Sequence, residues 1–177
     1  RRLKSDGSGD SEWIEEAKIV PADVAATDFF GSAVSLSGDL AIAGSKGDDD
    51  NGSWSGSAYV FKRQLKSDGS GDYEWLEEAK LLASDGAGSH NFGHSVSIWD
   101  DIAIVGAYGQ NSSRGAAYVF VRKLKNDGSG DYEWIEEAKL LASDGAATDI
   151  FGWSVHNWEN FAVIGAYQDD NKGSAYV

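Results

Sequence analysis

The chain has 177 residues, enough for one domain with a core, and an apolar fraction of 41% excludes wholesale disorder. A net charge of −14 opposes binding to nucleic acid, whose phosphates it would repel; it suits a solvated surface and divalent cations. Cysteine is absent, which excludes disulfides and thiolate metal sites, and no apolar run approaches membrane-spanning length. Methionine is also absent and the chain opens on Arg1-Arg2, so it reads as a mature product or an internal piece, with any signal peptide outside it.

In chain order, the first feature is Leu3–Lys18, Leu-Lys-Ser-Asp-Gly-Ser-Gly-Asp-Ser-Glu-Trp-Ile-Glu-Glu-Ala-Lys. It returns almost unchanged at Leu65–Lys80 and at Leu124–Lys139, while Gly56–Val60 returns at Gly115–Val119 and Gly173–Val177. The chain is therefore three copies of a unit of about 60 residues, a period typical of propellers and solenoids. With 22 glycines and one proline, it has the composition of short strands joined by tight turns.

The middle copy shows the unit. Ser95–Trp99 places Val96 and Ile98 on one face of a strand, Asp100-Asp101 is a turn, and Ile102–Val105 is a continuously apolar strand. Tyr108–Arg114 is a polar loop, and Gly115–Lys123, rich in β-formers, is a third strand. Asn126–Asp131 is a turn cluster. Glu133–Leu141 favours helix by propensity, with Trp134, Ala138 and Leu141 on one helical face. Three short strands nonetheless leave a blade unfinished, so we read this segment as an exposed outer strand open to a bulge.

The predicted fold is all-β: propeller blades of four antiparallel strands, in three repeats. Residues 1–20 then supply the outer strand of a neighbouring blade (Glu12–Val20), 21–82 and 83–141 are blades, and 142–177 is an incomplete blade ending on a third strand. Propellers typically have about four to eight blades, so the ring is closed or extended by further repeats or chains, through terminal strands whose edges invite association.

Phe30-Gly31, Phe92-Gly93 and Phe151-Gly152, the closing Gly106-Ala107 and Gly165-Ala166, and the Gly-Ser-Ala-Tyr-Val segments resemble FG-GAP repeats. The first copy departs at Gly44-Ser45. The resemblance covers the whole chain and extends to Trp75 with Ala79-Lys-Leu-Leu-Ala-Ser-Asp-Gly-Ala87. It implies a propeller like that at the N-terminus of integrin α subunits, in a secreted or cell-surface protein. In those propellers calcium sits in an Asp-rich loop between the first two strands. The equivalent loops here, such as Ser37-Gly38-Asp39, lack that motif.

Candidate calcium ligands are instead Asp6, Ser8 and Asp10, Asp68, Ser70 and Asp72, and Asp127, Ser129 and Asp131, spaced like the first oxygen ligands of a calcium loop. The competing reading is a glycine-rich hairpin in which each Asp bonds its own backbone. Asp23 with Asp28, and Asp144 with Asp149, recur before the Phe-Gly pairs, with His90 in the second position of the middle copy; these read as loop caps. Asn51 and Asn111 head glycosylation sequons on equivalent loops. With no recurring nucleophile, base and acid, the expectation is no enzyme. The expected function is an extracellular adhesion or assembly repeat, stabilised by calcium, with protein partners or self-association through terminal edge strands. The alternative is a glycan-binding, lectin-like module that uses Trp54, Trp99, Trp153 and Trp158.

Overall fold

The computed structural model describes residues 2–3 and 8–177. Four strands, β3 (Phe30–Ser37), β4 (Leu40–Ser45), β5 (Ser57–Leu65) and β6 (Tyr73–Leu81), form one antiparallel sheet in sequence order. The next four, β7 (Ser95–Trp99), β8 (Ile102–Ala107), β9 (Ala116–Leu124) and β10 (Tyr132–Leu140), form a second sheet of the same order. β11 (Phe151–Trp158), β12 (Phe161–Ala166) and β13 (Ser174–Tyr176) form a three-stranded third sheet. A small hairpin, β1 (Arg2–Leu3) with β2 (Ser11–Glu12), precedes them.

The segment with helical propensity is therefore a strand, and it is bulged as its polarity allows. Between β5 and β6 the register moves from Val60↔Ala79 to Phe61↔Glu77, leaving Glu78 unopposed; between β9 and β10 Glu137 is left the same way. The first copy of the segment differs. Residues 13–20 repeat the pattern of residues 75–82 but pair with no strand among the described residues, because β6 and β10 lie on third strands and 13–20 have none beside them. The polar loop 108–114 winds into a short turn at Gln110–Ser113, with Asn111 and Ser112 in the left-handed region.

Blades meet through their inner strands. Leu40 and Ile42 of β4 and Val60 of β5 pack with Val96 and Ile98 of β7 and Ala103 and Val105 of β8 in one buried cluster. A second cluster joins Ile104 and Ala117 to Phe151 and Ile164. At each joint a glycine opposes the Phe of the next blade, Gly56↔Phe92 and Gly115↔Phe151, in a parallel bridge. A serine hydroxyl also reaches across: the Ser35 Oγ accepts the Ile98 amide at 3.2 Å, and the Ser97 Oγ accepts the Asn157 amide at 3.0 Å.

Candidate functional site

Two side-chain nodes recur from blade to blade. The first lies where the third strand meets the loops at one end. In the first blade the Tyr59 hydroxyl is 3.0 Å from Asp23 and 3.2 Å from Asp48. Lys80 of β6 is 2.9 Å from both of these carboxylates and 2.6 Å from Asp50. Burial pushes the Tyr59 hydroxyl up to about 12. The Lys80 hydrogen bond holds Asp23 below the ordinary carboxylate range. Asp48 is 3% exposed; burial pushes its carboxyl up, but the Asp50 amide and Lys80 together hold it low. In the second blade Tyr118 donates to Asp85 at 2.6 Å, and Lys139 pairs with the same carboxylate. In the third, Tyr176 is 2.9 Å from Asp144 and 3.2 Å from Asp169, and among the described residues no lysine pairs with either carboxylate.

The second node joins neighbours across a blade boundary. The bulge residue Glu78 is turned onto the next blade, where Arg122 of β9 donates to both its oxygens at 2.6 and 2.7 Å and the Trp134 indole donates at 2.9 Å. Glu16 makes the same contacts one repeat earlier, with Arg63 at 2.7 and 2.9 Å and the Trp75 indole at 3.1 Å. Residues 13–20 thus sit where the outer strand of a preceding blade would sit. Each arginine also lies over a tyrosine ring, Arg63 on Tyr73 and Arg122 on Tyr132, both at 3.5 Å. Trp75 and Trp134 are accordingly inter-blade residues, while Trp13, their counterpart, is 85% exposed.

The proposed calcium loops are hairpin turns. Asp68 accepts the Ser70 amide at 2.9 Å and the Ser70 hydroxyl accepts the Asp72 amide at 3.1 Å; Asp127, Ser129 and Asp131 repeat this at 2.9 and 3.0 Å. The Asp10 amide donates to Ser8 in the same way, and Asp6 lies outside the described residues. Among the described residues no three carboxylates or histidines are grouped to hold a metal ion. Where three carboxylates do converge, the Lys80 ammonium fills the centre. Asp28 and Asp149 cap the amides of Ala25 and Ala146, and His90 Nδ1 accepts the matching Ala87 amide. Asn51 and Asn111 are both exposed.

A ledge of rings crosses the joint between the second and third blades. His94 stands 4.6 Å from Tyr108 and 4.2 Å from Trp153, and Trp153 is 4.9 Å from Tyr167. Trp153 and Tyr167 remain 37% and 50% exposed, and the buried His94 Nδ1 has no hydrogen-bond partner. Trp99 and Trp158 meet edge to face at the other end of these strands, 6.1 Å apart.

The glycines at the blade joints match a known pattern. The family model described as FG-GAP repeat matches the chain three times, at residues 13–61, 75–120 and 134–177. The chain belongs to the FG-GAP repeat family. The second and third matched units of this FG-GAP protein begin at the clamping residues Trp75 and Trp134, and the first begins at their exposed counterpart, Trp13. No curated protein matches the chain. Among the described residues, no helix is long and apolar enough to cross a membrane.

The Phe-Gly and Gly-Ala signature was legible in the sequence. The Tyr–Asp–Lys node was not, although a signal was present: Asp23, Tyr59 and Lys80 recur together as Asp85, Tyr118 and Lys139.

Proposed function

We propose that this chain is an extracellular structural repeat module for adhesion or assembly, which works by docking blade against blade. One observation carries this reading: the chain's two outer blade faces are built like its two internal joints, and both are bare. On the first blade Val34 and Leu36 are 71% and 65% exposed, whereas their counterparts Val96 and Ile98 are 8% and 3%. On the third, Phe161 and Val163 are 63% and 41% exposed, whereas Leu40 and Ile42 are 8% and 1%. Apolar strand faces left in water favour association. Exposed sequons at Asn51 and Asn111 support a secreted setting. Calcium enters as a stabiliser of the exposed Asp68, Asp72, Asp127 and Asp131 turns. Light scattering across a concentration series tests the assembly reading: mass that grows with concentration supports it, and a constant monomer mass on every surface and partner offered overturns it.

A glycan-binding role is the second reading, favoured by the part-exposed ring ledge of Trp153 and Tyr167. Rings of this kind stack on sugar faces. Binding on a glycan array that Trp153→Ala removes would support it, and an array without hits would reject it.

A further inference from the structure

The glycan-binding reading leaves the sugar open, and the base of the ring ledge narrows it. Two positions of the repeat build the ledge: the residue just after each Phe-Gly pair and the residue just after the close of each second strand. At the joint between the second and third blades these are Trp153 and Tyr108. A Cβ on Gly152 would stand 3.3 Å from the Ala107 amide nitrogen, and this close approach sets the two rings side by side, their centroids 5.0 Å apart. At the joint between the first and second blades the same two positions hold His94 and Lys46. A Cβ on Gly93 would stand 3.1 Å from the Ser45 amide nitrogen, so Lys46 stands beside His94 as Tyr108 stands beside Trp153. The imidazole registers it: burial first, and then the Lys46 charge, hold His94 below its ordinary value.

The two polar side chains of this group are unused by the chain. Arg63, Lys80, Arg122 and Lys139 each hold a carboxylate. Lys46 is half-buried and makes no ion pair among the described residues; its ammonium lies 6.0 Å from the Phe29 ring. Neither nitrogen of His94 is hydrogen-bonded among the described residues. Nδ1 is enclosed, which leaves Nε2 as the nitrogen that meets solvent.

Resting on the glycan-binding reading, we infer that this site takes an acidic sugar, a pyranose carrying a carboxylate, with its C–H face on Trp153 and its carboxylate between the Lys46 ammonium and the His94 imidazole. Lys46 supplies a charge-assisted hydrogen bond. The neutral His94 adds a second from Nε2–H. Trp153 offers the stacking face, and it is already fixed by His94 at 4.2 Å and Tyr108 at 5.0 Å, so little ordering is left for binding. A neutral sugar would use the rings equally well and leave Lys46 unpaired. Preference for an acid therefore resides in Lys46.

The net charge of −14 does not forbid an acidic ligand. At physiological ionic strength the field of exposed charges is screened beyond about 8 Å, so the nearest cation decides the local sign. All three blades contribute: Lys46 comes from the first, His94 and Tyr108 from the second and Trp153 from the third.

The test titrates the 177-residue chain with 3′-sialyllactose, a glucuronic-acid disaccharide and lactose, followed by NMR. At least one of the two acidic sugars should bind about tenfold more tightly than lactose. Lys46→Met should bring that sugar down to the level of lactose, and Lys46→Arg should keep the preference. Trp153→Ala should weaken acidic and neutral sugars alike. With no ion pair lost, Lys46→Met should melt as the parent does; Lys46→Gln makes the same measurement if it does not. Acidic sugars that bind no better than lactose, or a preference that survives loss of the Lys46 charge, overturn the inference and spare the glycan-binding reading. A chain that binds none of the three sugars and no other glycan removes both.

Discussion

A Cβ placed on Gly44 would lie 1.8 Å from the carbonyl oxygen of Gly93, on the neighbouring blade. The two backbones approach this closely because the inner strands crowd together at the joint, and only hydrogen fits between them. Backbone cannot swing aside as a flexible side chain can. Gly44→Ala must therefore push two blades apart and should cost about 3 kcal/mol, at the upper end of overpacking penalties. At Gly165 the same substitution meets the Ser154 hydroxyl, a side chain of its own blade, at 2.4 Å. Denaturant titration of the two variants under monomeric conditions should show the larger loss at Gly44. Equal losses would contradict the crowded joint.

The Lys80 hub sets a second expectation. Asp23, Asp48 and Asp50 surround one ammonium, and Asp48 is buried. Lys80→Met leaves those carboxylates facing each other and should destabilise the fold by about 3 kcal/mol at neutral pH. The sign with pH is fixed by the depressed carboxyls of Asp23 and Asp48. In the parent chain they lend stability that fades in acid, whereas in the variant protonation relieves repulsion. The gap in melting temperature between the two should therefore narrow from pH 7 to pH 4. Calorimetry at the two values checks it, and a gap independent of pH would contradict the hub.

These two sites differ in how openly the sequence displays them. The strands of the middle blade follow from alternation at Val96 and Ile98 and from the apolar run at Ile102, because burial of a strand face leaves a local pattern. Phe92-Gly93 was legible as a crowding motif for the same reason. The role of Glu78 was not. It depends on a one-residue bulge, which turns that side chain onto Arg122 of the next blade, and a bulge is decided by the partner strand. Residues 13–20 make the same point. Their pattern matches that of β6, yet they form no strand, since pairing is a property of two segments. The hairpin at Asp68 suited two readings because calcium loops and Asx turns ask for the same Asp, Ser and Gly residues at the same spacing.

The proposed calcium at those hairpins has a direct consequence. Asp68 and Asp127 are held below the ordinary carboxylate range by the Ser70 and Ser129 groups of their own turns, so both are charged at neutral pH. With calcium bound there, the melting temperature falls on adding a chelator, and Asp68→Ala with Asp72→Ala removes that fall. The double variant also loses the bond to the Ser70 amide, about 1 kcal/mol, with or without calcium. Identical melting in calcium and in chelator would leave these carboxylates with the turn role alone.

The clamp at Glu16 predicts how the N-terminal segment behaves in acid. Its bidentate hydrogen bonds from Arg63, joined by that of the Trp75 indole, lower the Glu16 carboxyl to about 2 from an ordinary value of 4.5. A depressed carboxylate favours the docked state above 4.5, and that contribution is lost as pH falls from 4.5 through about 2. Residues 13–20 should therefore detach from the first blade within that window, ahead of the blade itself, whose core is apolar. Trp75 reports the event, since its indole donates to Glu16 in the docked state and meets water in the released one. A red shift in tryptophan emission between pH 4.5 and 2 is expected, with Trp134→Phe to silence the equivalent clamp. Glu16→Gln should abolish the pH dependence and leave the segment loosely held at every pH. The pair is exposed, so added salt should weaken docking above pH 4.5 as well. A transition that survives Glu16→Gln unchanged would assign the acid response to another group and remove the clamp as its cause.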